Sequence, residues 1–232
     1  MKLRVKPCLL VEFALLAAVS IISCATSNAS GLNSTRTVLR GMVYNEERLP
    51  VQDVDVALVS KDKTMATTKT DVHGRFALPA VPFGRVTLTL SKPNYETLSW
   101  SFSFDGPAQV MYAKMINMSE LLDDASDGIA KRDWSFAQGF IDRALKLEPD
   151  NEVNKYLQGQ LFARQGKTDE AVKLLEKLSA DDSPSFTVEL TLGDIYQYDL
   201  KQSDKALYHL RKALTIKDDL DVENRIMELG KQ

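Results

Sequence analysis

Two spacings of apolar residues divide the chain. Between Thr37 and Lys114 apolar and polar positions alternate with a period of two, as in strands with one buried face. Seven runs are predicted as strands: Thr37–Tyr44, Val54–Val59, Thr64–Lys69, Arg75–Leu78, Arg85–Ser91, Thr97–Phe104 and Ala108–Lys114. Turn-forming clusters separate them, among them Asp71-Val72-His73-Gly74, Pro82-Phe83-Gly84 and Asp105-Gly106-Pro107. Short strands at this interval predict a small antiparallel β-sandwich over residues 37–116. After Met115 the alternation gives way to 3.6-residue spacing, and residues 117–232 are predicted to be helical.

The helical part repeats. The segments WSFAQGFIDRALKLEPD (134–150), DEAVKLLEKLSADD (169–182) and DKALYHLRKALTIKDD (204–219) align on Ala137, Ala171 and Ala206, at offsets of 34 and 35 residues. Ile141, Leu175 and Leu210 fall in register, as do Ala144, Leu178 and Ala213, and Pro149 closes the first unit. Preceding helices carry Gly159 with Phe162 and Gly193 with Tyr196. This set resembles the tetratricopeptide (TPR) repeat, a 34-residue helix-turn-helix unit. The resemblance implies three repeats, about 118–150, 152–183 and 186–219, closed by a capping helix from Val222 to Leu229. The first repeat departs from the pattern, with Ala125 and Gly128 where Gly and a large aromatic are usual. Thr168 or Asp169 is expected to cap one helix, and Ser183-Pro184 to open the next. The fold class is therefore β then α, a small sandwich followed by a TPR solenoid.

The strand region has its own resemblance. Gly41-x-Val43, Pro50 before Val54-x-Val56, Thr70-Asp71-x-x-Gly74-x-Phe76, Pro82-x-Gly84 and Asn94-Tyr95 resemble the carboxypeptidase regulatory-like (transthyretin-like) domain. That family is mostly non-catalytic. His73 has no second His nearby and reads as a solvated loop residue. Tyr95, Trp100 and Phe102 are expected to serve the core, because burial is the commoner fate of aromatics on strands.

The amino terminus reads as an address. Basic residues in Met-Lys-Leu-Arg-Val-Lys precede the apolar run Phe13 to Ile22, which is too short to span a bilayer. It ends Ile21-Ile22-Ser23-Cys24, which resembles the lipobox of bacterial lipoproteins. The resemblance implies removal of residues 1–23 and covalent diacylglycerol and acyl lipid on Cys24, with residues 24–36 a lipidated Cys and flexible tether. An ordinary signal cut at Cys24-Ala25 or Asn28-Ala29 is the alternative. Ala25 after the Cys favours, by the sorting rule of that family, the outer membrane facing the periplasm.

Composition narrows the function. Two His and two Cys, the latter Cys8 and Cys24, leave few ligands for zinc, and no metal or other cofactor is expected. A net charge of −3 argues against nucleic acid, and the helical part is the acidic one, 16 basic against 23 acidic residues in 117–232. No GxSxG, P-loop or HExxH stands in the sequence, so no enzyme is expected. The TPR resemblance implies a concave groove lined by the first helix of each repeat. Its positions are Leu122 and Ile129 (with Ser119 and Ser126), then Val153, Tyr156, Gln160 and Arg164, then Thr187, Leu190, Asp194, Gln197 and Tyr198. Such a groove suits an extended peptide or a helix. The expected protein is a lipid-anchored adaptor with an envelope protein partner. The second reading is capture of a carbohydrate or small ligand, motivated by Trp100, Tyr95, Tyr156 and Tyr198.

Overall fold

The computed structural model describes residues 36–60, 63–180 and 185–231. The signal-like segment, Cys24, the tether and Ser183-Pro184 lie outside the described residues.

Strands β1 (Arg36–Tyr44), β2 (Asp55–Ser60), β3 (Lys63–Lys69), β4 (Arg75–Pro82), β5 (Gly84–Ser91), β6 (Leu98–Phe104) and β7 (Val110–Lys114) form two sheets. Their orders are β4-β1-β7 and β3-β2-β5-β6. Alternation does what the sequence expects of it: Val86, Leu88 and Leu90 of β5 point inward, meeting Leu39, Val43, Leu58, Leu78 and Phe104 in one core. Between them Thr87 and Thr89 face outward and share hydrogen bonds with Ser101 (2.7 Å) and Ser99 (3.0 Å). Tyr95, Trp100 and Phe102 pack half-buried against that core.

Two details escape the two-fold pattern. The β1–β7 pairing is parallel, Gly41 opposite Met111, whereas every other pairing between strands is antiparallel. Side-chain alternation is the same in either direction, so sequence periodicity does not distinguish them. Strand β4 also runs four residues past its expected end at Leu78, through Pro79. An extra residue on β4 opposite Thr37/Leu39 makes a bulge, with Ala80 at φ 57°. Proline is tolerated because β4 is an edge strand.

The Thr70–Phe76 motif forms one locked corner. The buried Thr70 hydroxyl donates to Val51 O (2.7 Å) and accepts from Val54 N (2.9 Å). Asp71 Oδ1 accepts from the amides of Arg75 and His73, both at 2.8 Å, and these bonds, Arg75 foremost, hold its carboxyl below the usual carboxylate range against desolvation. Gly74 needs φ +70°, and a Cβ there would meet Val43 O at 2.3 Å. Phe76 then returns to the core directly over Gly41, where a Cβ would lie 2.3 Å from the ring. His73 is exposed on the turn. Asn94 adopts φ 64°, a left-handed conformation that Asn tolerates better than most residues.

Helices α1 (Met118–Ala130), α2 (Trp134–Leu147), α3 (Glu152–Arg164), α4 (Thr168–Ser179), α5 (Phe186–Asp194), α6 (Ser203–Ile216) and α7 (Leu220–Leu229) follow. They pair as hairpins, α1/α2, α3/α4 and α5/α6. Small residues sit at the crossings: a Cβ on Gly159 would lie 2.8 Å from Leu175, and one on Gly193 2.7 Å from Leu210. In the first hairpin Gly128 takes over this task, 2.9 Å from the Ala137 amide. The expected cap of α4 differs. Lys167 precedes its first turn and no side chain caps it, while Thr168 and Asp169 already lie inside. Asp219 caps α7, its carboxylate accepting from the amides of Asp221 and Val222.

The 35-residue offset has a structural cause. Arg132, Gly166 and Lys201 take the left-handed conformation that turns each hairpin, spaced 34 and then 35 residues apart. Gly159 and Gly193, which make the same crossing, are 34 apart. The extra residue therefore falls between Gly193 and Lys201. There the helix widens into a π turn, Ile195–Asp199, in which Leu200 N donates to Ile195 O.

Sandwich and solenoid meet without a linker and belong to one compact unit. Met115 is buried in the sandwich core, while Ile116 and Met118 pack with Leu121 and Ala144. Met118 N donates to Asn94 O, and Glu96 N donates to Ile116 O, both 2.9 Å. Asn117 caps α1 in a reciprocal pair with Glu120, whose other carboxylate oxygen accepts from Glu46 N (3.2 Å). Arg143 of α2 grips both oxygens of Glu96, with Nε at 2.9 Å.

Candidate partner-binding groove

The first helices of the hairpins, α1, α3 and α5, together with the π turn, line a recess of about 820 Å³. Of the residues expected to line the groove, it brings together Ile129, Gln160, Arg164, Asp194 and Tyr198, joined by Ser126. Tyr156 stands between α3 and α5. Its hydroxyl is 3.1 Å from Thr191 Oγ1 and accepts from Gln160 Nε2. Burial, offset in part by these bonds, moves that hydroxyl above the usual tyrosine range. The tyrosine is thus occupied in joining two helices.

Other expected positions lie elsewhere. Leu122 and Leu190 are half-buried and pack into the solenoid clusters. Val153 and Thr187 are exposed near the first turns of α3 and α5, outside the recess. Gln197 and Asp194 are engaged by α7: Arg225 Nη2 donates to Asp194 Oδ1 and to Gln197 Oε1, each at 2.7 Å. The same guanidinium lies 5.5 Å from the centre of the Tyr198 ring. Asp194 is therefore already paired, while Arg164, Arg132 and Asp199 stand exposed in the recess.

Seven lining residues were not expected, Ala130, Ala163, Thr191 and Ile195 among them. Arg132 and Trp134 enter from the α1–α2 turn, and Asp199 from the π turn. Arg225, from α7, had no repeat register to reveal it.

A buried polar cluster also escaped the sequence. Glu189 of α5, fully buried, accepts from Ser179 Oγ (2.6 Å), faces His209 Nδ1 (2.8 Å) and pairs with Lys212 Nζ (2.7 Å). Desolvation pushes its carboxyl up, but the bonds from His209, Lys212 and Ser179 outweigh this and hold it below the ordinary glutamate range. Lys212 also donates to Ser179 O (2.6 Å), closing the carbonyl end of α4. Ser, His and Glu meet here, with the serine hydroxyl donating to the carboxylate and accepting from Lys212 Nζ (2.8 Å). Among the described residues no group of three His, Cys, Asp or Glu side chains is placed to hold a metal ion.

Residues 38–106 match the family model described as carboxypeptidase regulatory-like domain. No curated protein sequence matches the chain. Similar solved structures include the TPR domain of OM64 from Arabidopsis, at 17% identity and TM-score 0.44, covering 50% of this chain and 95% of that one. A thermophilic TPR protein of Thermus thermophilus is 19% identical with TM-score 0.45, covering 50% and 64%. The TPR2AB domain of yeast Sti1, solved in a pHSP90 complex, is 13% identical with TM-score 0.43, covering 49% and 46%. Residues 38–106 are thus similar to the carboxypeptidase regulatory-like domain, and three helical hairpins follow the sandwich.

Proposed function

We propose that this protein is a non-enzymatic, lipid-anchored adaptor of the bacterial envelope that holds a protein segment in its solenoid groove. The observation that carries the reading is the recess itself: side chains from three helices, separated by a full repeat in sequence, converge on one concave surface. Its walls are mostly polar, with Tyr198 and Trp134 as aromatic surfaces and Arg164 as a cation. This mixture fits an extended peptide carrying an acidic side chain. The lipobox-like Ile21-Ile22-Ser23-Cys24 supports attachment through Cys24, with the outer membrane facing the periplasm as the destination. No described helix is long and apolar enough to cross a membrane.

Ligand capture has less support. Tyr95 and Trp100 pack against the sandwich core, the Tyr156 hydroxyl is bonded, and Tyr198 alone of the four motivating aromatics is exposed.

Site-specific photocrosslinking tests the groove. A probe at Gln160 or Tyr198 should trap a partner that probes at Lys173 and Arg211, on second helices, do not; Arg164→Glu should abolish the adduct. Equal trapping from all positions would sink the adaptor reading. For the anchor, Cys24→Ala should end metabolic labelling with palmitate and release the chain from membranes. Unchanged labelling refutes it.

A further inference from the structure

The sandwich has two unlike poles. The carboxyl ends of β1 and β7, together with the β5–β6 connection at Asn94 and Glu96, meet the helices. At the opposite pole lie the start of β1 at Arg36, the end of β2, the start of β3, the β4–β5 turn and the end of β6. Nine residues of β1 separate the poles by roughly 27 Å.

A shallow recess of about 700 Å³ opens at this far pole. The charged side chains lining it are Arg36, Lys63 and Arg85, and none of them pairs with a carboxylate among the described residues. Beside them Met65 and Phe83 are exposed to 43% and 44%. Phe83 is held by an edge contact with the Phe104 ring, with centroids 5.9 Å apart. The acid at this pole within the described residues is Asp105, and its carboxylate accepts from Ser103 Oγ at 2.8 Å. Arg36, the first described residue, opens β1 at this same pole.

We infer that the pole carrying Arg36, Lys63, Arg85, Met65 and Phe83 docks on the anionic headgroups of the membrane to which the chain is tethered. Three cations beside two exposed apolar side chains match a negatively charged interface, with charge drawing the pole down and the apolar groups entering the headgroup layer. The acidic solenoid, on the opposite pole, is repelled by the same surface. The result is orientation: the helices stand away from the bilayer and the groove stays open to a partner. A tether of a dozen residues keeps the pole at high local concentration, so each contact can be individually weak. The inference rests on the membrane reading above, but its test does not require Cys24.

Residues 34–232 contain every buried core residue described and no cysteine. This unit, with a single Ala108→Cys dye at the far pole, is tethered through an amino-terminal His tag to nickel-chelating vesicles. Energy transfer to a headgroup acceptor is read on vesicles with and without phosphatidylglycerol. Transfer should rise with the anionic lipid and fall back in high salt. The Arg36→Glu, Lys63→Glu, Arg85→Glu variant should weaken docking by on the order of a hundredfold, while reversing Lys201, Lys205 and Arg211 on the solenoid should not weaken it. Transfer that is independent of lipid charge, or unmoved by the triple reversal, overturns the inference. Palmitate labelling unchanged by Cys24→Ala, with this result intact, would reject the anchor and leave the docking surface standing.

Discussion

At the residue scale the energetics concentrate in Glu189. Exposed pairs such as Lys131 with Asp127, or Lys69 with Asp55, contribute at most about 1 kcal/mol. Glu189 is buried and reachable by three donors, so removing one leaves a charge that water cannot solvate. Lys212→Met is expected to destabilise the protein by about 3 kcal/mol, at the low end for such pairs because Ser179 and His209 remain. Urea unfolding measures it. The carboxyl is held below its ordinary range when folded, so it stabilises above that range and the contribution is lost as pH falls through the folded value. The urea midpoint should therefore drop on acidification, and Glu189→Gln should flatten that slope. An unchanged slope in the variant would place the acid sensitivity elsewhere. Nearby, burial and then the bond to and charge of Glu176 push the Tyr196 hydroxyl up to about 12, so it remains a donor throughout.

At the element scale the π turn is the feature that a consensus repeat would not have. Deleting one residue inside a helix ordinarily rotates everything beyond it by about 100°. Between Gly193 and Lys201 a deletion should instead remove the surplus and restore the 34-residue spacing. Deletion of Tyr198 is thus expected to keep the fold, with helical circular dichroism undiminished, while removing an aromatic wall of the groove. Deletion of Ala163 in α3, where there is no surplus, should unfold the array. If both deletions are equally damaging, the insertion account is wrong. The widened turn also explains why Tyr198 and Asp199 both reach the recess: the extra residue shifts the helix face just before its end.

At the scale of the whole molecule the junction decides behaviour. With Met115 in one core and Ile116 in another, no slack residues separate sandwich from solenoid. The two-pronged Arg143–Glu96 pair spans the junction, and its charge-assisted geometry should give a coupling of about 1 kcal/mol in a double-mutant cycle of Arg143→Met and Glu96→Gln. Additive single effects would mean the halves are held by the backbone bonds alone. Much of this architecture was legible beforehand. Alternation at two residues and recurrence at 34 follow from strand and helix geometry, so local pattern determined the β-then-α order, the Gly74 corner and the hairpin crossings. Six of the thirteen expected groove residues line the recess, because repeat register carries them there. The remainder depended on what the pattern does not encode. Strand direction leaves alternation unchanged, so the parallel β1–β7 pair was invisible. Arg225 comes from a helix outside the repeat, and the Glu189 cluster joins residues from three helices whose partners are set by crossing geometry. Sequence by itself determined which elements form and which faces they bury. Which charges meet, and which groove positions remain free for a partner, only the tertiary packing decided, because those interactions act across elements at distances that no single period records.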